Sequence, residues 1–490
     1  MEKNQEFELT IEDLGNDGEG IGHIDGMAVF VKDAVPGDVI RVRIVKVKKQ
    51  YAYGRVMEVL TPSPDRVKPR CLKARQCGGC TLQHLSYEAQ LLYKWNKVKS
   101  CLERIGGLTN VDALMEPIVG MFTQEEAEKL SGVDKEKIMP NICPKGCWNY
   151  RNKAQFPVGQ DADGHVVTGF YAGRSHNIVP TTFCAIQSEV NGDILAKVTA
   201  FLERYHISVY NEEAHKGLVR HILTRVGFQT GEIMVCLIIN GETLPYGEKL
   251  VEELSPINGM TSICLNVNRD KTNRILGDKC ITLWGKDSIT DYIGDVKYEI
   301  SPMSFFQVNP VQTRVLYEKA LEYADLHGDE TVWDLYCGIG TISLFLAQRA
   351  KRVYGVELVS QAIEDAGRNA TLNGFTNTEF FVGKAEEILP KWYREHQSAG
   401  DAMLHPDVIV VDPPRKGCEE ELLETIVQMA PKRMVYVSCD PATLARDLKY
   451  MTANGYQVER VCPVDQFGHS GHVEVVTCLQ RGSMYKTLNL

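Results

Sequence analysis

The stretch VYVSCDPATLARD, residues 435–447, reads as a short buried strand that stops at Ser438-Cys439 and gives way to a helix. Asp440 is a good N-cap. Pro441 suits the first helical position, where neither a missing N–H nor a fixed φ is a disadvantage. Cys439 then stands at the carboxyl end of a strand, just ahead of a helix N-terminus. In an open α/β sheet that edge is where ligands bind. The positive end of the helix dipole is expected to favour thiolate over thiol there. The competing reading is a buried core cysteine, since free Cys is among the most buried residue types.

Working outward, the same strand–turn–helix rhythm fills the C-terminal part of the chain. TVWDLYCG (331–338) is a strand and glycine turn, and ISLFLAQRA (342–350) a helix. RVYGVEL (352–358) is the next strand, QAIEDAGRNATLNG (361–374) the next helix, and DVIVVDPP (407–414) a further buried strand. The pattern predicts a doubly wound parallel sheet over residues 291–490. DLYCGIG (334–340) places Gly338 and Gly340 between strand and helix, and Glu357 ends the following strand, where an acid meets ribose hydroxyls in such folds. Ser343 stands where the dinucleotide fingerprint has its third glycine, so a nucleoside cofactor without a pyrophosphate fits best, S-adenosylmethionine above all. In VDPPRKG (411–417), Asp412 ends another strand, and Arg415 stands where amino-group methyltransferases often carry an aromatic. That argues for a carbon target, which needs covalent help. The Cys439 thiolate can add to C6 of a uracil and make C5 nucleophilic. The base that removes the C5 proton is sought in FGHSGHVEVV (467–476), which offers His469, His472 and Glu474.

Upstream the chain is organised differently. Its 490 residues allow two to four domains. Residues 1–60 read as a small β-barrel: FELTI (7–11) and MAVFV (27–31) are strands, and VIRVRIVKVK (39–48) alternates with a phase slip near Ile44-Val45 that marks a bulge. Net charge is −10, yet residues 31–80 hold twelve Lys and Arg against four Asp and Glu. That block, with Arg41, Arg43, Lys46, Lys48 and Lys49 near Tyr51 and Tyr53, suits single-stranded nucleic acid. TPSPDRVKPR (61–70) is a linker. In CLKARQCGGC, Cys71, Cys77 and Cys80 call for a metal, zinc or an iron–sulfur cluster, with a fourth ligand open among Cys101, Cys143, Cys147 and Cys184. Residues 61–290 are expected to form an α+β domain: a helix near 83–105 that could pack on the catalytic domain, a charged surface insertion at 115–140, hairpins about Asp161–Gly164 and Thr230-Gly231, and helices at 185–206 and 245–255. No apolar run approaches membrane-spanning length and the first residues do not resemble a signal peptide, so a cytoplasmic protein is expected.

Taken in order, CLKARQCGGCTLQH, YRNKAQF, SPMSFFQVNP, DLYCGIGT, VDPPRKG, SCDPATLARD and HVE resemble the RNA (uracil-5-)-methyltransferases, in particular the cluster-containing 23S rRNA branch, and the basic barrel resembles a TRAM domain. The resemblance implies an OB-like barrel, a central α+β domain with an iron–sulfur site and a Rossmann-like class I methyltransferase domain. It implies a [4Fe-4S] cluster on Cys71, Cys77, Cys80 and Cys184. It implies S-adenosyl-L-methionine contacts from Gln307, Tyr336, Glu357 and Asp412, with Cys439 as nucleophile and Glu474 as base. A monomer acting on 23S rRNA is expected. The alternatives are the same chemistry on tRNA, or a non-catalytic RNA-binding or redox-sensing protein.

Overall fold

The computed structural model describes residues 1–173, 175–396 and 405–482; the expected domain limit at 490 lies outside them. Six strands form the N-terminal barrel: β1 (Glu6–Thr10), β2 (Asp13–Leu14), β3 (Gly20–Ile24), β4 (Met27–Lys32), β5 (Val39–Val47) and β6 (Tyr51–Thr61), in the order β1-β5-β6-β4-β3-β2. Its interior is aliphatic, with Leu9, Val29, Val31, Ile40, Val42 and Ile44 fully buried. The β5–β6 register slips between Ile44 and Lys46, where the alternation of the sequence breaks.

The next segment departs from the expectation. Helix α1 (Tyr87–Arg104), capped by Ser86, is followed by α2 (Val111–Leu114), β7 (Ile118–Phe122), α3 (Gln124–Glu128), α4 (Gly132–Lys137) and β8 (Ile138–Ile142). The stretch read as a surface insertion therefore supplies two strands, and β7 is buried throughout. The charged residues that suggested an insertion belong to α3 and α4, the first closed by a Thr123–Glu126 capping box.

The central sheet has seven strands, β9 (Lys153–Gln160), β10 (Val166–Tyr171), β11 (Ile178–Pro180), β12 (Val219–Val226), β13 (Ile233–Ile239), β14 (Met260–Val267) and β15 (Lys279–Gly285), in the order β11-β10-β9-β12-β13-β14-β15. One face packs on α5 (Val190–Arg204) and α6 (Gly247–Leu254). The other, through Leu223, Met234, Cys236 and Cys264, shares a core with the hairpin β16 (Ile289–Ile293) and β17 (Val296–Ile300) and with the catalytic domain.

That domain runs α7 (Pro310–Ala324), β18 (Thr331–Leu335), α8 (Thr341–Ala347), β19 (Arg352–Glu357), α9 (Ser360–Leu372), β20 (Thr378–Val382), α10 (Ala385–His396), β21 (Val408–Val411), α11 (Glu420–Met429), β22 (Arg433–Ser438), α12 (Pro441–Ala453), β23 (Tyr456–Val464) and β24 (Glu474–Arg481). The sheet order is β20-β19-β18-β21-β22-β24-β23-β7-β8. Strands β18 to β22 are parallel, as expected, while β24 enters antiparallel between β22 and β23. Alternate residues along each strand feed two separate cores. Val332, Val410, Val435 and Val476 face α7 and α8; Trp333, Ile409, Tyr436 and Val475 face α1, α11 and α12. Among the described residues no helix is long and apolar enough to cross a membrane.

Candidate active site at the strand ends

Three ionisable side chains stand at the ends of three neighbouring strands, on one face. Val408 and Val410, Val435 and Val437, and Val476 and Cys478 share one core, so the period of two carries Asp412, Cys439 and Glu474 to the same side. Ser438 pairs with Val475 across β22 and β24; Cys439 follows the first and Glu474 precedes the second, and the Glu474 charge acts on the Cys439 thiol. Helix α12 starts as its sequence requires: the Asp440 carboxylate accepts the N–H groups of Ala442 (2.9 Å) and Thr443 (3.2 Å), and Pro441 follows.

The electrostatics differ from the expectation at Cys439. Burial, with the charges of Glu474 and Asp412 behind it, pushes the thiol up to about 11, while Arg415 pulls the other way. The one helix terminus is outweighed by desolvation and two facing carboxylates. Glu474, buried, is pushed up to about 8 by desolvation and then by Asp412, against Arg415. Desolvation alone raises Asp412 to about 7.

A cavity of about 1830 Å³ opens over these strand ends, lined by Gln307, Tyr336, Glu357, Asp412, Cys439 and Glu474. The structure thus gathers every residue expected to bind cofactor or react. The turn after β18 is tight: Tyr336 is left-handed (φ 69°), as are Gly338 (φ 56°) and Gly340 (φ 79°). A left-handed tyrosine costs energy, and such strain concentrates at ligand sites. Glu357 closes the turn by accepting the N–H groups of Gly338 (3.2 Å) and Val359 (2.9 Å). The Tyr336 hydroxyl donates to Glu386 at 2.7 Å. Gln307 is held from the central domain, where Asn152 donates its side-chain amide to the Gln307 carbonyl (3.0 Å) and its backbone N–H to that of Val308 (2.8 Å).

The cysteines gather as well. The thiols that weigh most on Cys80 are Cys184, Cys77 and Cys71, and Cys184 responds to Cys71 and Cys77 in turn. Cys143 and Cys147 lie in a small apolar cluster against which Cys80 and Cys184 pack, and Cys101 sits on α1 beside Lys97 and Asp440. Among the described residues, however, no three His, Cys, Asp or Glu stand at ligating geometry.

Of the base candidates, Glu474 and His472 line the cavity. His469 is buried and stacks on Trp148, with ring centroids 3.9 Å apart. Reasoning from sequence named Arg415 without its electrostatic role and did not single out two further features. Arg415 is the cation facing both Cys439 and Glu474, a role its place after Asp412 could have suggested. Phe305 is 69% exposed in the cavity wall, where an unburied aromatic ring signals a stacking surface. Lys94 and Asp465, both fully buried, form an ion pair (2.5 Å), joined by the Tyr87 hydroxyl at 2.6 Å. At the barrel, Arg41 and Arg43 are engaged by Glu6 and Glu58, whereas Lys46, Lys48 and Lys49 are exposed and have no carboxylate partner among the described residues. Phe30, Tyr51 and Tyr53 cluster there at centroid distances of 5.5–6.0 Å.

Comparison with known proteins agrees with this geometry. The family described as tRNA (Uracil-5-)-methyltransferase matches residues 228–482, and the TRAM domain matches residues 1–57. A protein of Halalkalibacterium halodurans described as an uncharacterized RNA methyltransferase is 49% identical over 481 residues, 98% of each chain. One of Clostridium tetani, described in the same words, is 47% identical over 97% of this chain and 96% of its own. The crystal structure of Pyrococcus abyssi tRNA (uracil-54, C5)-methyltransferase in complex with S-adenosyl-L-homocysteine superposes with a TM-score of 0.72 at 28% identity, covering 96% of this chain and 100% of that one. With its strand-end acids, its glycine turn and full-length relatives at nearly half identity, this chain belongs to the tRNA (Uracil-5-)-methyltransferase family and carries a TRAM domain at its N-terminus.

Proposed function

We propose that the protein methylates C5 of uridine in 23S rRNA through a transient bond between Cys439 and the base. S-adenosyl-L-methionine, when bound, supplies the methyl group on a positively charged sulfonium. Its nucleoside would meet Glu357 and the Tyr336–Gly340 turn, with Gln307 and Asp412 flanking. The Cys439 thiol gives its proton to solvent as its sulfur bonds to C6, and the C5=C6 electron pair moves to C5, which takes the methyl group as S-adenosylhomocysteine departs. Glu474 then takes the C5 proton, the C6–S bond breaks, and the C5=C6 double bond returns. The target base must leave its stack to reach the cavity, and Phe305 offers it a face.

The observation that carries this reading is that Cys439, Glu474 and Asp412, at the ends of the neighbouring strands β22, β24 and β21, line one cavity. Cys439→Ala tests it. Methyl transfer should fall by about 10⁴-fold or more, the scale of losing a covalent nucleophile, while RNA binding persists. Methylation that survives in this variant would refute the assignment.

The same chemistry on tRNA is the second reading, favoured by the full-length likeness to the Pyrococcus abyssi tRNA enzyme. Mass mapping of 5-methyluridine in ribosomal and transfer RNA from cells lacking this gene separates the two. Cys71, Cys77, Cys80 and Cys184 would hold an iron–sulfur cluster. Four soft, partly buried thiols drawn from two segments are the donor set such a cluster takes. Its part would be to join the Cys71–Cys80 loop to the central sheet.

A further inference from the structure

The loop Phe467–His472 carries two cavity residues, Phe467 and His472, and leads directly into Glu474. Helix α1 holds it at three points, beside the Thr81 and Leu82 N–H groups on the His469 carbonyl and the Tyr150 hydroxyl on that of Gly468. Gln90 accepts the His469 N–H at 3.0 Å, and the Lys94 ammonium donates to the Phe467 carbonyl at 3.0 Å. One turn further, the Lys97 ammonium donates to the Gly471 carbonyl at 3.0 Å. The same ammonium donates to the carbonyl of Asn16 at 2.9 Å, and Asn16 belongs to the barrel turn between β2 and β3. The Tyr93 hydroxyl reaches that turn too, 2.7 Å from the Gly15 carbonyl and 3.0 Å from that of Asn16. Barrel and loop also touch directly. A Cβ at Gly471 would lie 3.3 Å from the Asn16 carbonyl oxygen and 3.4 Å from the Tyr93 hydroxyl, tighter than most side chains tolerate.

Lys97 therefore divides a partly buried charge between two carbonyls from two domains. Those domains are the barrel, whose exposed lysines and clustered aromatics suit RNA, and the loop that leads to the base. Neither carbonyl alone satisfies the ammonium, so its full bonding requires the barrel to be seated against the loop. We infer that Lys97 is a positioning residue for Glu474, and that through it the seating of the barrel sets the geometry of the proton-abstracting step. The barrel then contributes to the rate of the reaction as well as to affinity. This rests on the reading of Glu474 as base. A base displaced by about 1 Å loses on the order of 10²-fold in rate without any change in binding.

The test is Lys97→Met in the full chain, with ribosomal and transfer RNA transcripts and S-adenosylmethionine. RNA affinity should stay within about twofold while release of free 5-methyluridine RNA in a single turnover falls by about 10- to 100-fold. Addition and methyl transfer precede proton abstraction, so a denaturant-stable protein–RNA adduct should accumulate on unmodified RNA, as expected for Glu474→Gln. Trapping by 5-fluorouridine RNA, which does not depend on proton removal, should match the unsubstituted protein. Lys97→Arg should restore turnover, and Tyr93→Phe, which leaves the charge in place, should reproduce the adduct in weaker form. Normal release of free 5-methyluridine RNA by Lys97→Met overturns the inference, and so does its loss together with loss of 5-fluorouridine trapping. Should Lys97→Met fail to fold, Tyr93→Phe decides by the same adduct measurement. If Glu474→Gln itself yields no adduct and turns over normally, the assignment of the base has failed, whatever Lys97→Met does.

Discussion

Burial pushes the carboxyls of Glu474 and Asp412 up into the neutral range, and for Glu474 the shift has a measurable signature. For Glu474 the folded value of about 8 lies above the unfolded reference of 4.5. An acid raised on folding weakens the fold as pH rises from the unfolded value to the folded one, and the full penalty stands above about 8. Glu474→Gln should therefore raise the thermal midpoint at pH 8 by several degrees, with the gain vanishing towards pH 4. Thermal unfolding across that range checks it. Activity should run the opposite way, because a base must be ionised to act. The value of kcat should climb with pH between about 7 and 9. Arg415 lowers both Glu474 and Cys439, so Arg415→Gln should move that climb to higher pH, by about one unit if the charge is only partly screened. A pH–rate profile that does not move would show that Arg415 does not act on these groups.

At the scale of elements, the buried Lys94–Asp465 pair anchors α1 to the end of β23. Lys94→Met would strand the Asp465 carboxylate in the interior, and about 3–5 kcal/mol of stability should disappear, read from denaturant unfolding. What the sequence made legible follows from how local each signal is. The cap of α12, the glycine turn after β18 and the β5 bulge are each written within a few residues, and the structure has each where those residues call for it. The six cavity residues were legible because motif order carries a whole family's geometry. The membership of β7 and β8 in the catalytic sheet was not. It depends on a pairing of Val119 with Val464, 345 positions away, and nothing near residue 120 announces such a partner. The Lys94–Asp465 pair was hidden for the same reason. The upward push on the Cys439 thiol was not legible because a helix terminus is visible in sequence, whereas the burial that drives it and the two carboxylates facing it arise only in the fold.

For the whole molecule, an acidic chain must bind a polyanion through local surface. The paired state of Arg41 and Arg43 shifts that task to Lys46, Lys48 and Lys49 on the barrel. Replacing these three lysines with glutamine should weaken RNA binding and flatten the slope of log affinity against log salt by about 0.7 for each phosphate that is no longer neutralised. An unchanged slope would move the RNA interface elsewhere. The backbone joins the cysteine site to the cavity through short steps: Asn149 donates to Ala185 (2.9 Å), Arg151 to Ile186 (3.0 Å) and Asn152 to Val308 (2.8 Å). If the proposed cluster is held there, iron depletion should lower stability first and then weaken binding of S-adenosylhomocysteine through Gln307, measurable by calorimetry. A depleted protein that folds and binds normally would remove the cysteine site from this account. The central claim is the bond between Cys439 and the base. RNA transcribed with 5-fluorouridine and incubated with the protein and S-adenosylmethionine should yield a covalent complex whose digest carries the nucleotide on the peptide containing Cys439. A complex that still forms in Cys439→Ala, or an attachment on any other residue, would contradict it.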